Sequence, residues 1–222
     1  MLFSQGGILV EQFSIIQVIE MLETIAEKLI LNEKKLCQID AQIGDGDHGT
    51  GMAIGARAIQ DALQVENNFK SVGEVFQKAA LVMMNSMGGA SGILFSSLFL
   101  GLGKSTKGKQ VMTVSDFKTG LDQAIEMIKK RGKATLGDKT MLDALIPAYQ
   151  FIEENQTHDF TVIMVNLVQG AEKGVEETKK YVAKFGRAKF LGERSLGKQD
   201  AGATSIALIF TAMKEYVEEE VA

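Results

Sequence analysis

The stretch EQFSIIQVIEMLETIAEKLILNEKKL, Glu11–Leu36, carries its apolar residues at steps of three and four. This spacing places them along one face of an α-helix, because the helix turns once every 3.6 residues. The same period returns in seven later segments, at 51–64, 72–87, 91–101, 114–132, 139–155, 163–175 and 204–220. At ordinary helix lengths the chain should therefore hold about eight helices.

Strand patterns are scarce by comparison. Period-two alternation is confined to KLCQIDAQI at 35–43 and to the β-branched TVIMV at 161–165, and the regular exchange of strands and helices typical of a doubly wound sheet is missing. We predict an all-α fold, built as a single domain over residues 1–222, which is long enough for one large hydrophobic core. Pro147, the only proline, falls inside a helical pattern and should kink that helix or mark a new start.

Composition narrows the classes of partner. A formal net charge of -4 with scattered lysines offers no basic surface to nucleic acid. The lone Cys37 excludes an internal disulfide framework, and no stretch approaches the length of a membrane span. We expect a cytoplasmic protein with no nucleic-acid or membrane partner, in which Cys37 is a small buried thiol.

Glycine is concentrated in three segments, GDGDHGTG at 44–51, MGGASG at 87–92 and GRAKFLGERSLGKQDAGA at 186–203. We expect them to separate helices and to carry function, as loops held by a rigid scaffold often do. The first segment contains G-x-G-x-x-G, but no core strand precedes it, so the dinucleotide-binding interpretation fails. Residues 192–199 lack the final Ser or Thr of a P-loop, and the acidic loop lacks the spacing of an EF-hand.

Three carboxylates remain to be explained in the first segment: Asp40, Asp45 and Asp47. Crowded carboxylates repel one another unless a cation neutralises them, and oxygen ligands without cysteine favour magnesium. Two magnesium ions would leave the loop slightly positive and able to receive phosphate. The alternative is an acidic turn that caps the next helix, which would suit a single Asp-Gly-Asp better than three carboxylates.

Other candidate residues fit a phosphate site less specifically. Gly88–Gly92 precede an apolar helix and could offer free N–H groups to an anion, or could simply allow close helix packing. Arg187 could clamp a phosphate through its planar guanidinium, although a single arginine is more often a surface residue. His48 could act as a general base or only as a polar contact, and His158 is expected in an exposed loop.

Read in order, GDGDHG, MGGASG, GDKTMLDAL and GRAKFLGERSLGKQDAGATS resemble the motifs of the nucleotide-binding L subunits, DhaL, of bacterial dihydroxyacetone kinases. The resemblance extends from Asp40 to Ser205. It implies a closed barrel of about eight antiparallel helices, with ADP or ATP held at one rim by two Mg²⁺ ions. It implies that Asp40, Asp45 and Asp47 bind magnesium. The residues that it assigns to the nucleotide are His48, Gly49, Thr50, Gly51, Gly89, Ala90, Ser91, Gly132, Met141, Arg187, Asp200, Ala201 and Gly202.

The resemblance also implies partners. In this family the ketose is held on a separate K subunit, DhaK, and a phosphohistidine protein, DhaM, recharges the bound ADP in the phosphotransferase-linked type. ATP-dependent relatives fuse the K and L domains, so this short chain is similar to the first type. We expect a phosphotransferase subunit without a catalytic side chain of its own, which passes a phosphoryl group from metal-bound nucleotide to the ketose on its partner. The sequence leaves open which ketose is used and the oligomeric state, a homodimer included.

Two other functions suit the same residues. One is a nucleotide-sensing regulatory module, and the other is the nucleotide domain of a fatty-acid-kinase-like system, which normally has Thr at the position of His48 and a longer chain. The chain also departs from the DhaL pattern at two places. Gly51 stands where the family has Asn, and Lys198 and Ala201 stand where it has His and Pro.

Overall fold

The structure is a computed structural model that describes residues 9–66 and 68–220. Over these ranges the chain forms nine α-helices: α1 (Ile15–Leu31), α2 (Glu33–Asp40), α3 (His48–Val65), α4 (Val72–Ser86), α5 (Gly89–Ser105), α6 (Val114–Gly132), α7 (Leu142–Glu153), α8 (Phe160–Thr178) and α9 (Ala201–Glu220). A 3-10 segment spans Ala188–Ser195. None of the helices in these ranges is long and apolar enough to cross a membrane.

The fold is mostly helical, as predicted, but it also contains a small sheet that the sequence pattern did not indicate. Strands β1 (Gln12–Ser14) and β2 (Val111–Thr113) pair antiparallel, with Phe13 opposite Met112. Both of these side chains are fully buried. The prediction of a purely helical fold is corrected to this extent.

The first predicted helix is in fact a strand and two helices. Ser14 caps α1 by accepting a hydrogen bond from the Gln17 N–H, while the Gln17 side chain accepts one from the Ser14 N–H. This capping box starts the helix at Ile15, not at Glu11. Asn32 then separates α1 from α2. Neither rival strand segment is extended, since 35–43 lies in α2 and its following turn and 161–165 lies in α8.

Pro147 lies inside α7 and does not end it. The neighbouring α8 approaches this part of α7 closely, because a β-carbon at Gly170 would lie 2.6 Å from the Ala148 Cα and 2.7 Å from the Pro147 carbonyl oxygen. Only glycine leaves room for such an approach. The contact fixes α7 and α8 side by side.

The helices pack side by side in chain order, and the first helix contacts the last. Each helix from α3 to α8 packs against the next one in the chain, and α1 packs against both α3 and α9. One continuous cluster of buried apolar side chains fills the space between them. Because connections alternate between the two ends of such an array, those before α3, α5, α7 and α9 fall at the same end. The predicted site residues lie in these four connections or in the helix turns beside them.

Candidate functional site

The structure brings the three predicted carboxylates together. Asp40 is the last residue of α2, Asp47 immediately precedes α3, and Asp45 lies in the turn between them. One oxygen atom from each carboxylate lies within 4.8 Å of the other two. Asp45 and Asp47 are exposed, and Asp40 is half-buried.

The glycines of this turn are explained by the Asp40 carboxylate. Its Oδ2 accepts a hydrogen bond of 2.8 Å from the Gly46 N–H, and Gly46 adopts a φ of 78°. A β-carbon at Gly44 would lie 2.9 Å from the Asp40 Cγ and closer still to its Oδ1. Side chains at either position would therefore disturb the carboxylate or the turn.

The geometry disfavours the alternative that the three aspartates only cap α3. Asp47 occupies the cap position of α3, yet its side chain makes no capping hydrogen bond within the described chain. Partial desolvation raises the pKa of Asp47, the neighbouring Asp45 and Asp40 raise it further, and Arg187 opposes them. The carboxylate is thus left free of a capping role and crowded by like charges, which is the environment that a cation relieves.

Arg187 lies at this cluster. Its Nε is 2.7 Å from the Asp45 Oδ2, while its side chain remains 70% exposed. An ion pair this exposed contributes little to stability, because water screens it and the side chain loses freedom. The guanidinium is therefore free to exchange Asp45 for another anion at the same place.

The MGGASG segment forms the start of α5. Gly88 is its cap residue and Gly89, its first residue, has a φ of 69°. No atom lies within 4 Å of a β-carbon built at Gly88 or Gly89, whereas one at Gly92 would meet the Met87 carbonyl oxygen at 2.8 Å. Helix packing therefore explains Gly92 but not the two glycines before it, which open the first N–H groups of α5 to solvent.

Met87 places this start beside α3. A β-carbon at Gly55 would lie 2.6 Å from the Met87 Sδ, and one at Gly51 would lie 4.0 Å from the Met87 Cε. The first turns of α3 and α5 are thus neighbours.

Two of the glycine-rich segments include helix starts, where the sequence suggested only connections. His48, Gly49, Thr50 and Gly51 form the first turn of α3, and Gly89, Ala90 and Ser91 form that of α5. Gly132 is the last residue of α6, where its helical pattern also ends. Gly49 is explained by packing, since a β-carbon there would lie 2.7 Å from the Cys37 N of α2. Cys37 itself is half-buried and not, as predicted, a buried thiol.

His48 ties α3 to α9. Its Nε2 lies 2.8 Å from the Ser205 Oγ, and its ring packs 5.9 Å from that of Phe95. Burial lowers the pKa of His48, although Asp40 and the Ala201 backbone partly oppose the shift. These contacts support the polar-contact interpretation over a general base. His158 lies in an exposed connection, as predicted.

The predicted turn Asp200–Gly202 forms the start of α9. Asp200 caps it, since its Oδ2 accepts a hydrogen bond of 2.7 Å from the Ala203 N–H. Burial raises the pKa of Asp200 to about 7, and Asp143 adds to this effect. A β-carbon at Gly202 would lie 3.4 Å from the Met141 N, so the start of α9 touches the segment before α7. A β-carbon at Gly132 would lie 3.2 Å from the Leu94 Cδ2, so the end of α6 touches α5.

Sequence reasoning missed two buried charged residues, Lys139 in the turn before α7 and Asp143 in the first turn of α7. Asp143, only 1% exposed, accepts hydrogen bonds from the Gly137 N–H at 2.5 Å and the Thr140 N–H at 2.7 Å. Lys139, only 2% exposed, donates to two backbone carbonyls. Both residues lie inside the motif GDKTMLDAL, but the motif does not indicate burial, because lysine and aspartate are mostly exposed.

The contacts Asp45–Arg187, Gly51–Met87, His48–Ser205, Met141–Gly202 and Gly132–Leu94 thus place the predicted residues in one region at one end of the helices. An acidic cluster, an exposed arginine and open helix N–H groups lie side by side there. Carboxylates of this kind can hold a metal ion, and an arginine and free helix N–H groups can hold phosphate.

Comparison with known proteins identifies the class. The DAK2 domain matches residues 42–215, and the chain belongs to this family. The chain is 38% identical over 199 residues to the PTS-dependent dihydroxyacetone kinase ADP-binding subunit DhaL of Lactococcus lactis, covering 90% of this chain and 96% of that protein. It is 32% identical over 196 residues to the PEP-dependent dihydroxyacetone kinase ADP-binding subunit DhaL of Escherichia coli, covering 86% and 91%. The resemblance seen in the motifs is confirmed.

Solved structures agree with this assignment. The dihydroxyacetone kinase of C. freundii in its native form superposes with a TM-score of 0.70 at 26% identity, covering 97% of this chain and 38% of that one. The structure of the same kinase in complex with AMP-PNP and Mg²⁺ gives a TM-score of 0.69 at 27% identity, covering 97% and 37%. The present chain thus spans little more than a third of the solved kinase chain.

Proposed function

We propose that this chain is the ADP/ATP-binding L subunit of a dihydroxyacetone kinase, or of a kinase for a related ketose, of the phosphotransferase-linked type. The observation that carries the proposal is the placement of Asp40, Asp45 and Asp47 beside Arg187 and the open start of α5. Relatives that match this chain over nearly their whole length are named as ADP-binding subunits of PTS- or PEP-dependent kinases.

The residues fit magnesium. Oxygen ligands of one Mg²⁺ ion lie up to about 4.2 Å apart, since each Mg–O bond is about 2.1 Å long. The three carboxylates, within 4.8 Å of one another, reach this range with small side-chain rotations, and neither His nor Cys belongs to the cluster. We assign two ions, because a charge of +4 against three carboxylates leaves a net attraction for phosphate. Bound magnesium would supply the positive charge that a phosphate chain needs beside three aspartates.

The remaining site residues are assigned to the nucleotide. The first turns of α3 (His48–Gly51) and α5 (Gly89–Ser91) line the phosphates, and the open start of α5 donates backbone N–H groups to phosphate oxygens. Arg187, released from Asp45, adds its planar guanidinium. Gly132, Met141 and the Asp200–Gly202 turn, with Ala201 at its centre, contact the rest of the nucleotide. No side chain of the site is assigned to proton transfer, because the His48 Nε2 already shares a hydrogen bond with the Ser205 Oγ.

We propose that α1 and α3–α9 close into a barrel of eight antiparallel helices, within a single domain, with the nucleotide at one rim. Support comes from the packing of α1 against both α3 and α9. Further support comes from the single buried core.

The chain requires partners in this proposal. A K-type subunit would hold the ketose, and a phosphohistidine protein of the DhaM type would recharge ADP. The proposal places the chain in the cytoplasm, in keeping with its single cysteine, and it allows a homodimer.

Reconstitution tests this function. Native mass spectrometry of the purified protein should show ADP and magnesium bound to it. Mixing with a K-type subunit and a phosphohistidine donor should then give phosphorylation of dihydroxyacetone, while the chain alone with ATP should give none. Steady turnover by the isolated chain would contradict the two-component mechanism, and nucleotide binding without transfer to any ketose would favour the regulatory module.

A further inference from the structure

Lys139 is a buried cation in the turn between α6 and α7. Its side chain donates to the Thr178 carbonyl at 2.6 Å, at the end of α8, and to the Lys198 carbonyl, in the connection that leads to α9. The residue adopts a φ of 60°, which only a few non-glycine residues do. One ammonium group thus joins three segments that are distant in sequence.

Thr178 holds the same connection from the other side. Its fully buried hydroxyl accepts a hydrogen bond of 3.0 Å from the Asp200 N–H and donates one of 2.6 Å to the Val175 carbonyl. The turn is therefore fixed at two points, the Lys198 carbonyl and the Asp200 N–H.

Burying an ammonium group costs free energy unless hydrogen bonds and charges compensate for it. Burial lowers the pKa of Lys139, and the carboxylates of Asp200 and Asp143 oppose this. An apolar side chain would avoid this cost but could not bind two carbonyl oxygens. The two hydrogen bonds of Lys139 therefore fix the position of the connection before α9 relative to the turn before α7.

The two ends of this connection meet the candidate site. Met141 follows Lys139 by two residues, and Gly202 follows Asp200 by two. Met141 and Gly202 are in contact, so the bonds of Lys139 and Thr178 set the spacing between the two segments assigned to the nucleotide.

We propose that Lys139 and Thr178 are positioning residues that hold the Lys198–Gly202 segment in the arrangement that receives the nucleotide. The inference rests on the proposed nucleotide site. Neither side chain needs to touch the nucleotide, because both act through backbone atoms of the connection.

Paired variants separate this role from general stability. Lys139→Met removes the ammonium group at similar length, and its control is Lys184→Met, which removes the 62% exposed partner of Asp138 on the same turn. Thr178→Val removes the acceptor for the Asp200 N–H at similar volume, and its control is Thr178→Ser, which keeps the hydroxyl. Each protein is measured by ADP calorimetry with magnesium, by Mn²⁺ binding without nucleotide, by hydrogen exchange of the 198–204 amides and by urea unfolding.

Lys139→Met and Thr178→Val should each weaken ADP binding about tenfold, as loss of supporting contacts around a site typically does. Exchange at the Asp200 and Ala203 amides should rise, and Mn²⁺ affinity should stay at the wild-type value. Both control variants should bind ADP like the wild type. Unchanged ADP affinity in folded Thr178→Val, or a parallel fall in ADP and Mn²⁺ affinity, would overturn the proposal.

The test still decides if Lys139→Met is unstable, and it distinguishes failure of the positioning role from failure of the proposed function. If Lys139→Met does not fold, Thr178→Val against Thr178→Ser decides the question. If the wild type binds no ADP, the proposed function fails, whereas unaltered amide exchange at 198–204 in Thr178→Val would refute the positioning role itself.

Discussion

Replacing Gly44 with alanine should disable the acidic cluster while the helices stay folded. The new β-carbon would lie 2.9 Å from the Asp40 Cγ, against ordinary contacts of 3.4–4 Å. The Asp40 carboxyl group must retreat by at least about half an ångström, which weakens its 2.8 Å hydrogen bond from the Gly46 N–H. A bond to a charged group is worth about 1.5–3 kcal/mol, so we expect destabilisation of about 1–3 kcal/mol.

The effect on metal should be larger than the effect on stability. Displacing one of three carboxylates should weaken Mn²⁺ binding about 10–100-fold, the range seen when support of a metal ligand is lost. The assay is Mn²⁺ titration followed by electron paramagnetic resonance, with urea unfolding of the same samples.

Gly88→Ala is the matched control, because nothing lies within 4 Å of a β-carbon at Gly88. This variant should keep the wild-type Mn²⁺ affinity. Gly44→Ala with wild-type Mn²⁺ affinity would refute the reasoning, as would equal losses in both variants.

Two further predictions concern the nucleotide. Ala201 is the first residue of α9, where proline is favoured, so Ala201→Pro combined with Lys198→His should slow ADP dissociation about two- to fivefold in a stopped-flow chase, the kinetic equivalent of about 0.4–1 kcal/mol. Unchanged or faster release would show that this turn does not gate the nucleotide. Arg187→Ala should leave the urea midpoint nearly unchanged, because its pair with Asp45 is exposed, yet should weaken ADP binding in calorimetry. Wild-type ADP affinity in Arg187→Ala would remove the residue from the phosphate site.

Local sequence signals predicted some elements well and others poorly. Helix α6 was placed correctly at 114–132, since its periodicity coincides with a capping box between Thr113 and Asp116. The same reasoning failed at 11–36, where Ser14 and Asn32 divide a continuous apolar pattern. Pairing of β1 with β2 joins residues about a hundred positions apart, and short-range periodicity carries no trace of it.

In the candidate site, too, local sequence predicts some features and not others. Asp40, Asp45 and Asp47 lie within eight residues, so the sequence itself brings them together. The pair of Arg187 with Asp45 depends on the packing of the connection before α9, and no local pattern reports it. Lys139 escaped notice because lysine is ordinarily an exposed residue, and only the folded chain shows it buried.

The central claim is that nucleotide binding depends on metal held by the three aspartates. Calorimetric titration of ADP into the wild type, Asp45→Ala and Asp47→Ala, each with magnesium and with excess chelator, tests it most directly. Chelator should abolish tight binding to the wild type, and each substitution should weaken binding at least about tenfold with magnesium present, because two carboxylates would then face phosphate with less cation between them. Unchanged affinity in either variant, or full affinity of the wild type in chelator, would contradict the account.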